Sequence, residues 1–211
     1  FNTETVKVQF FAKFYLGEEL NLDGLSIKAV YSDGTSKDLN WKDLEIEGFD
    51  NTVKGEQTLT LNYDGATASK TIKVLAAPDS DPIHVSFTLL GDTKHGADTE
   101  ECHTLDGENL TTWVETGMIE VGANETVYEV IKSLEEKYGF KIYDRETQYG
   151  TYIYAVEYKD VTLSEFDNGQ NSGWMDTIND VHPGVGVAKQ YLNDGDVIVL
   201  HYTDDYTKED Q

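Results

Sequence analysis

One short stretch, Ala76-Ala77-Pro78-Asp79-Ser80-Asp81-Pro82, holds two of the three prolines in a chain of 211 residues and divides it. Each proline lacks an N–H donor and pushes its predecessor toward extended backbone, so neither a helix nor a sheet ladder continues through it. Charge changes at the same place. Residues 1–75 hold 12 acids and 8 bases, a net of −4; the remainder holds 28 acids and 8 bases, a net of −20. Two domains are expected, over 1–76 and 83–211, joined by a short stiff linker at 77–82.

The first part reads as all-β. Leu25, Ile27, Ala29 and Tyr31 recur at period two, which places them on one face of a strand. Asp33-Gly34 follows, then a short run to Leu39. The pattern repeats at Leu59, Leu61 and Tyr63, then Asp64-Gly65, then a strand ending at Ile72 and Val74. Asp-Gly between alternating runs signals a hairpin, because glycine accepts the positive φ of a tight turn. Short strands and regular turns in so small a span point to an immunoglobulin-like sandwich.

The second part is mixed. A strand is expected at 83–90, a polar irregular stretch at 91–111, and a strand at 113–121. One helix is expected over 126–138, where Val127, Val130, Ile131, Leu134 and Tyr138 form an apolar stripe. Thr126 and Glu129 have capping-box spacing, and Gly139 suits a left-handed end. Strands are expected at 140–143, 151–158, 174–179 and 197–202. One helix on a small sheet gives an α+β domain with a β-grasp-like sheet.

Composition narrows function. With 40 acids against 16 bases the chain repels phosphate backbones and anionic headgroups, so neither nucleic acid nor membrane insertion is expected. No run reaches the roughly 18 apolar residues of a membrane span. A single cysteine, Cys102, excludes a disulfide within the chain. The start at Phe1 reads as a portion of a longer precursor.

Two resemblances add to this reading. Tyr15-Leu16-Gly17-Glu18, Asp23-Gly24-Leu25, Tyr31-Ser32-Asp33-Gly34-Thr35, Gly48-Phe49-Asp50, Gly55 and Tyr63-Asp64-Gly65 occur in one order. Together they resemble the bacterial immunoglobulin-like repeats of Gram-positive cell-wall proteins. That likeness implies a spacer at the cell surface. The second part carries Val121-Gly122-Ala123-Asn124-Glu125-Thr126-Val127, Gly173-Trp174-Met175 with Asn179, Val185-Gly186-Val187 and Tyr191-Leu192-Asn193-Asp194-Gly195-Asp196-Val197-Ile198. This order resembles bacterial modules similar to the C-terminal domain of transcobalamin and intrinsic factor. In those carriers the domain covers one face of a corrin and a helical barrel covers the other. This chain has no such barrel, and Asp180 stands where the bacterial modules usually have glycine. No cofactor is expected, with a corrinoid as the one alternative that the resemblance implies.

For ligand contact the residues singled out are Trp174, Met175, Tyr152, Tyr154 and Tyr191. Aromatic platforms cover planar ligands or sugar rings with little entropy loss, though alternating aromatics also pack ordinary strands. His95, Cys102 and His103, with Glu100 and Glu101, lack the paired spacings of zinc sites and are expected in a solvated loop. Asp167-Asn168-Gly169-Gln170-Asn171 fails the calcium-loop spacing and is expected to be a turn-rich loop. No nucleophile elbow or phosphate-cradling loop is present. The expectation is therefore a non-catalytic extracellular, surface-associated protein with a cell-wall or other extracellular partner, or a module binding a small molecule or glycan.

Overall fold

The computed structural model describes residues 3–9, 12–97, 102–107 and 109–209. The chain forms two compact units, residues 1–80 and 81–211, and the division falls inside the proline stretch.

The first unit contains β1 (Thr3–Gln9), β2 (Lys13–Tyr15), β3 (Ser26–Tyr31), β4 (Ser36–Asp38), β5 (Glu45–Glu47), β6 (Gly55–Tyr63) and β7 (Ala66–Leu75). One sheet runs β1-β3-β4 and the other β2-β7-β6-β5, with β2 parallel to β7. Period-two patterning explains the sandwich. Ile27 and Ala29 on β3 are buried, as are Leu59 and Leu61 on β6 and Ile72 and Val74 on β7. They meet Phe14, Leu22 and Leu39 in one apolar core. Asp64 and Gly65 both take positive φ, 49° and 82°, the backbone a two-residue hairpin turn needs. The β6–β7 ladder then continues in register from Tyr63↔Ala66 to Gly55↔Val74. Strands β1, β2 and β5 were not among the expected ones; β2 and β5 each bury too few side chains to show a period.

The second unit contains β8 (Ile83–Gly91), β9 (Thr111–Glu115), β10 (Ile119–Val121), α1 (Val127–Tyr138), β11 (Phe140–Thr147), β12 (Gly150–Tyr158), β13 (Val161–Ser164), β14 (Gly173–Ile178) and β15 (Val197–Thr203). The main sheet has the order β10-β8-β15-β14, and β9 also pairs with β8. Strands β8 and β15 are parallel, and the outer pairings are antiparallel. An antiparallel pair, a helix, and a second antiparallel pair whose last strand lies beside the first make the β-grasp arrangement. A second sheet, β11-β12-β13, is inserted between the helix and β14.

The strand expected at 113–121 is two strands. Between them the Phe87 N–H donates to Thr116 Oγ1 at 2.8 Å, so a side chain takes the place of a ladder carbonyl. The helix follows its sequence signals. Thr126 Oγ1 accepts from the Glu129 N–H, and the Glu129 carboxylate accepts from the Thr126 N–H at 2.8 Å. Gly139 ends it at φ 68°. Val127, Val130, Ile131 and Leu134 enter a core shared with Val85, Phe87, Leu89, Ile198 and Leu200 of the central strands.

Candidate functional site

Three segments of the second unit surround an apolar groove of about 590 Å³: the β11–β12 turn, β14, and the loop from His182 to Val187. The loop is drawn in closely. A Cβ on Gly186 would lie 2.7 Å from the Thr151 carbonyl oxygen, so only glycine lets the loop backbone rest on the hairpin. The Gly186 N–H donates to Tyr149 O at 3.0 Å and closes that wall. At the rim Tyr149 is 68% exposed and Val185 47% exposed. Exposed apolar side chains beside an apolar groove are more informative than the same residues scattered over a surface.

Of the residues singled out in the sequence, Tyr152, Trp174 and Met175 line this groove, and Tyr154 and Tyr191 are not among its lining residues. Trp174 is only 3% exposed. Its Nε1–H donates to Leu163 O at 2.8 Å, and its ring packs against Trp113 and Tyr202 at 5.7 and 5.4 Å. It is a core pillar with an edge on the groove rather than an open platform. Tyr152 and Tyr154 share one face of β12, and the Arg145 guanidinium covers both rings at 5.4 and 5.6 Å. Arg145 is held there by a two-pronged pair with the Glu165 carboxylate. Burial and the Glu165 charge raise the Tyr152 phenol above its ordinary value, so it stays protonated. Tyr191 instead bridges to Thr126 at the start of α1.

Asp176 was not foreseen. It lies on the groove wall, and its Oδ2 is buried with no hydrogen-bond partner among the described residues. Burial pushes its carboxyl up to about 6, against the opposing influence of Gln190 and His182. Charged forms are penalised when water is withdrawn, and that is the dominant effect here. His182 also borders the groove, yet both ring nitrogens face neighbours. Nδ1 lies 3.0 Å from Asp176 O and Nε2 3.4 Å from Glu209 Oε2. Glu209 Oε2 is 2.7 Å from Nε2 of the fully buried His201. Burial works against ionisation of Glu209, but the hydrogen bond and charge of His201, with smaller help from Thr203 and the Leu105 N–H, hold its carboxyl below the usual value. The ligand atoms of His182, His201 and Glu209 lie within 4.8 Å of one another.

The solvated loop expected around His95 and His103 needs correction. Both side chains are 15% exposed, and their rings meet edge-on at 5.3 Å. They converge with Asp92 and Asp204, and Cys102 is not part of the group. Glu100 and Glu101 lie outside the described residues. The 167–171 stretch is a turn-rich loop with a buried centre, because Asn168 points inward toward this group.

Comparison with known proteins separates the halves again. Residues 12–75 match the model of the bacterial Ig-like domain, group 3. The first unit is a bacterial immunoglobulin-like domain. Residues 124–204 match a domain of unknown function, DUF4430. Pectate lyase L of Thermoclostridium stercorarium is 26% identical over 132 residues, covering 58% of this chain and 10% of that protein. The chain thus spans about a tenth of the length of the curated relative it matches. Among the described residues no helix is long and apolar enough to cross a membrane.

Proposed function

We propose that this chain is a non-catalytic portion of an extracellular bacterial protein, with the immunoglobulin-like unit as spacer and the β-grasp unit as ligand-capturing module. The groove carries this reading. Its volume falls in the range of about 300–1,000 Å³ typical of small-molecule sites, with apolar walls and one carboxylate oxygen, Asp176 Oδ2, left without a partner to fix orientation. Both nitrogens of His182 are engaged away from open space, which supports binding over acid–base chemistry. Immunoglobulin-like domains of this group in extracellular proteins support the setting, as does a relative named as a pectate lyase that shares only a tenth of its length.

Charge selects among ligands. A unit with a net of −19 over residues 81–211 repels polyanions, so a neutral ligand with an apolar face fits better than an acidic polymer such as pectate. A neutral glycan is the favoured occupant. The corrinoid carried by transcobalamin-like domains is the second, resting on the likeness of the Gly173–Met175 and Val185–Val187 segments. Titration of the full chain with neutral oligosaccharides, pectate oligomers and cobalamin, read by tryptophan fluorescence, tests the proposal. Tyr149→Ala is expected to weaken binding of the active ligand at least about tenfold with the fold intact, as for an aromatic anchor. Affinity unchanged in both Tyr149→Ala and Val185→Asp would remove the groove from consideration.

A further inference from the structure

At the carboxyl edge of the parallel β8–β15 pair, four ligand atoms converge from three segments. Asp92 follows β8 directly and Asp204 follows β15 directly, so parallel pairing alone brings these two carboxylates together. His95 and His103 come from the loop after β8. The separations between Asp92 Oδ2, Asp204 Oδ2, His95 Nε2 and His103 Nδ1 include 2.8, 3.3, 3.3 and 3.9 Å, and all four lie within 4.8 Å of one another. A tetrahedral ion bound at about 2.0–2.1 Å by each ligand requires separations of about 3.3 Å. We infer that Asp92, His95, His103 and Asp204 form a four-ligand site for a divalent transition ion of the zinc class.

The surroundings orient each ligand for that task. His95 Nδ1 lies 2.9 Å from Gly96 O; a proton held there leaves the Nε2 lone pair facing the centre. The second carboxylate oxygens are occupied elsewhere. The Thr93 N–H donates to Asp92 Oδ1 at 2.6 Å, and Asn168 Nδ2 donates to Asp204 Oδ1 at 3.0 Å. Asn168 is itself fixed, since its Oδ1 accepts from the His95 N–H at 3.0 Å and its Nδ2 donates to Thr93 O at 2.9 Å. Its two amide hydrogens are therefore used, although Nδ2 also lies 3.0 Å from His95 Nε2 and 3.3 Å from Asp92 Oδ2. The His103 N–H adds a bond to Asp204 Oδ2 at 2.8 Å, and the Asp204 N–H returns one to His103 O.

Electrostatics favours a cation there. The carboxylate side chains are 4% and 6% exposed and the imidazoles 15%. When both imidazoles act as neutral ligands, the two nearly buried carboxylates leave the group with a net charge of −2, and buried charge needs a counter-charge. One divalent ion supplies it in full. A closed four-ligand set leaves no position for substrate, which marks the site as structural rather than catalytic. Its consequence is to fasten the loop after β8 to the end of β15, replacing the missing disulfide with a metal cross-link.

The test uses the full chain after chelation, titrated with Zn²⁺ and Co²⁺. One equivalent of tight binding is expected, with the intense visible absorption of tetrahedral Co²⁺. His103→Ala should abolish that equivalent and the cobalt bands. His182→Ala, in the other histidine group, should retain both. Asn168→Ala should weaken affinity by about 10–100-fold, the usual effect of losing a partner that orients a ligand. Zinc bound equally well by His95→Ala and His103→Ala would overturn the assignment, as would a weak octahedral cobalt spectrum in the unaltered chain. Absence of binding for both ions would show a metal-free network of charged histidines and aspartates instead. Should His103→Ala fail to fold, His103→Gln and the cobalt spectrum of the unaltered chain decide the same question.

Discussion

The two units bury different kinds of residue. Among the described residues every buried polar or charged side chain, from Asp92 to Glu209, belongs to the second unit; the buried side chains of the first are all apolar. All five histidines and the one cysteine also fall in the second. An apolar core packed at period two asks only for correct volume and pattern, which fits the spacer role proposed for this unit. Buried polar groups cost stability unless partnered, so a unit that keeps many of them depends on specific hydrogen bonds as well as on packing. The groove and the histidine–aspartate group stand at such places.

This contrast can be attacked directly, beginning with the largest effect. Leu61→Ala removes a fully buried side chain from the first core and is expected to lower stability by about 2–5 kcal/mol. Calorimetry should show this loss in one transition only, and a loss shared by both transitions would mean that the units do not fold as separate cores. Asp176→Asn comes next. The folded carboxyl titrates near 6 rather than at 3.8, so the folded state holds its proton more tightly than the unfolded chain does. Its contribution is therefore complete below pH 4 and declines as pH rises through 6, by at most roughly 3 kcal/mol. Asp176→Asn should be more stable than the unaltered chain, by a margin that grows between pH 4 and 6. A margin independent of pH would show that Asp176 ionises normally.

Thr126→Ala should cost about 1 kcal/mol by removing one arm of the capping box, seen as a lower unfolding midpoint for the second unit alone. The smallest effect belongs to the exposed Lys28–Asp38 pair at 3.1 Å on the first sheet. Replacing both partners with alanine should change stability by less than about 1 kcal/mol, and raising the salt concentration should shrink even that. A larger loss would mean that the first unit depends on its surface charges as well as its core.

Local signals carried most of the architecture. The prolines at 78 and 82 marked the division, Asp64-Gly65 the hairpin, and the 126–139 stretch a helix with both of its ends. These are decided by neighbours within a few residues, so spacing alone expresses them. Short strands such as β2 and β13 were invisible because three or four residues with one buried side chain, Phe14 or Leu163, carry no period. Of the five residues singled out for ligand contact, three meet at one groove, because Tyr152 on β12 and Trp174 and Met175 on β14 come from strands that fold against each other. Nothing local tells that Trp174 finds a carbonyl partner in the core or that Arg145 covers Tyr152 and Tyr154.

The sequence by itself determined two domains, a sandwich followed by one helix on a sheet, and an acidic surface hostile to phosphate. Only the tertiary structure decided which polar residues share a centre. His95 and His103 are near one another in the chain, but Asp92 and Asp204 meet because β8 and β15 run parallel and end at the same edge. Parallel pairing joins residues from opposite ends of a domain, and the spacing of residues along a chain holds no record of it.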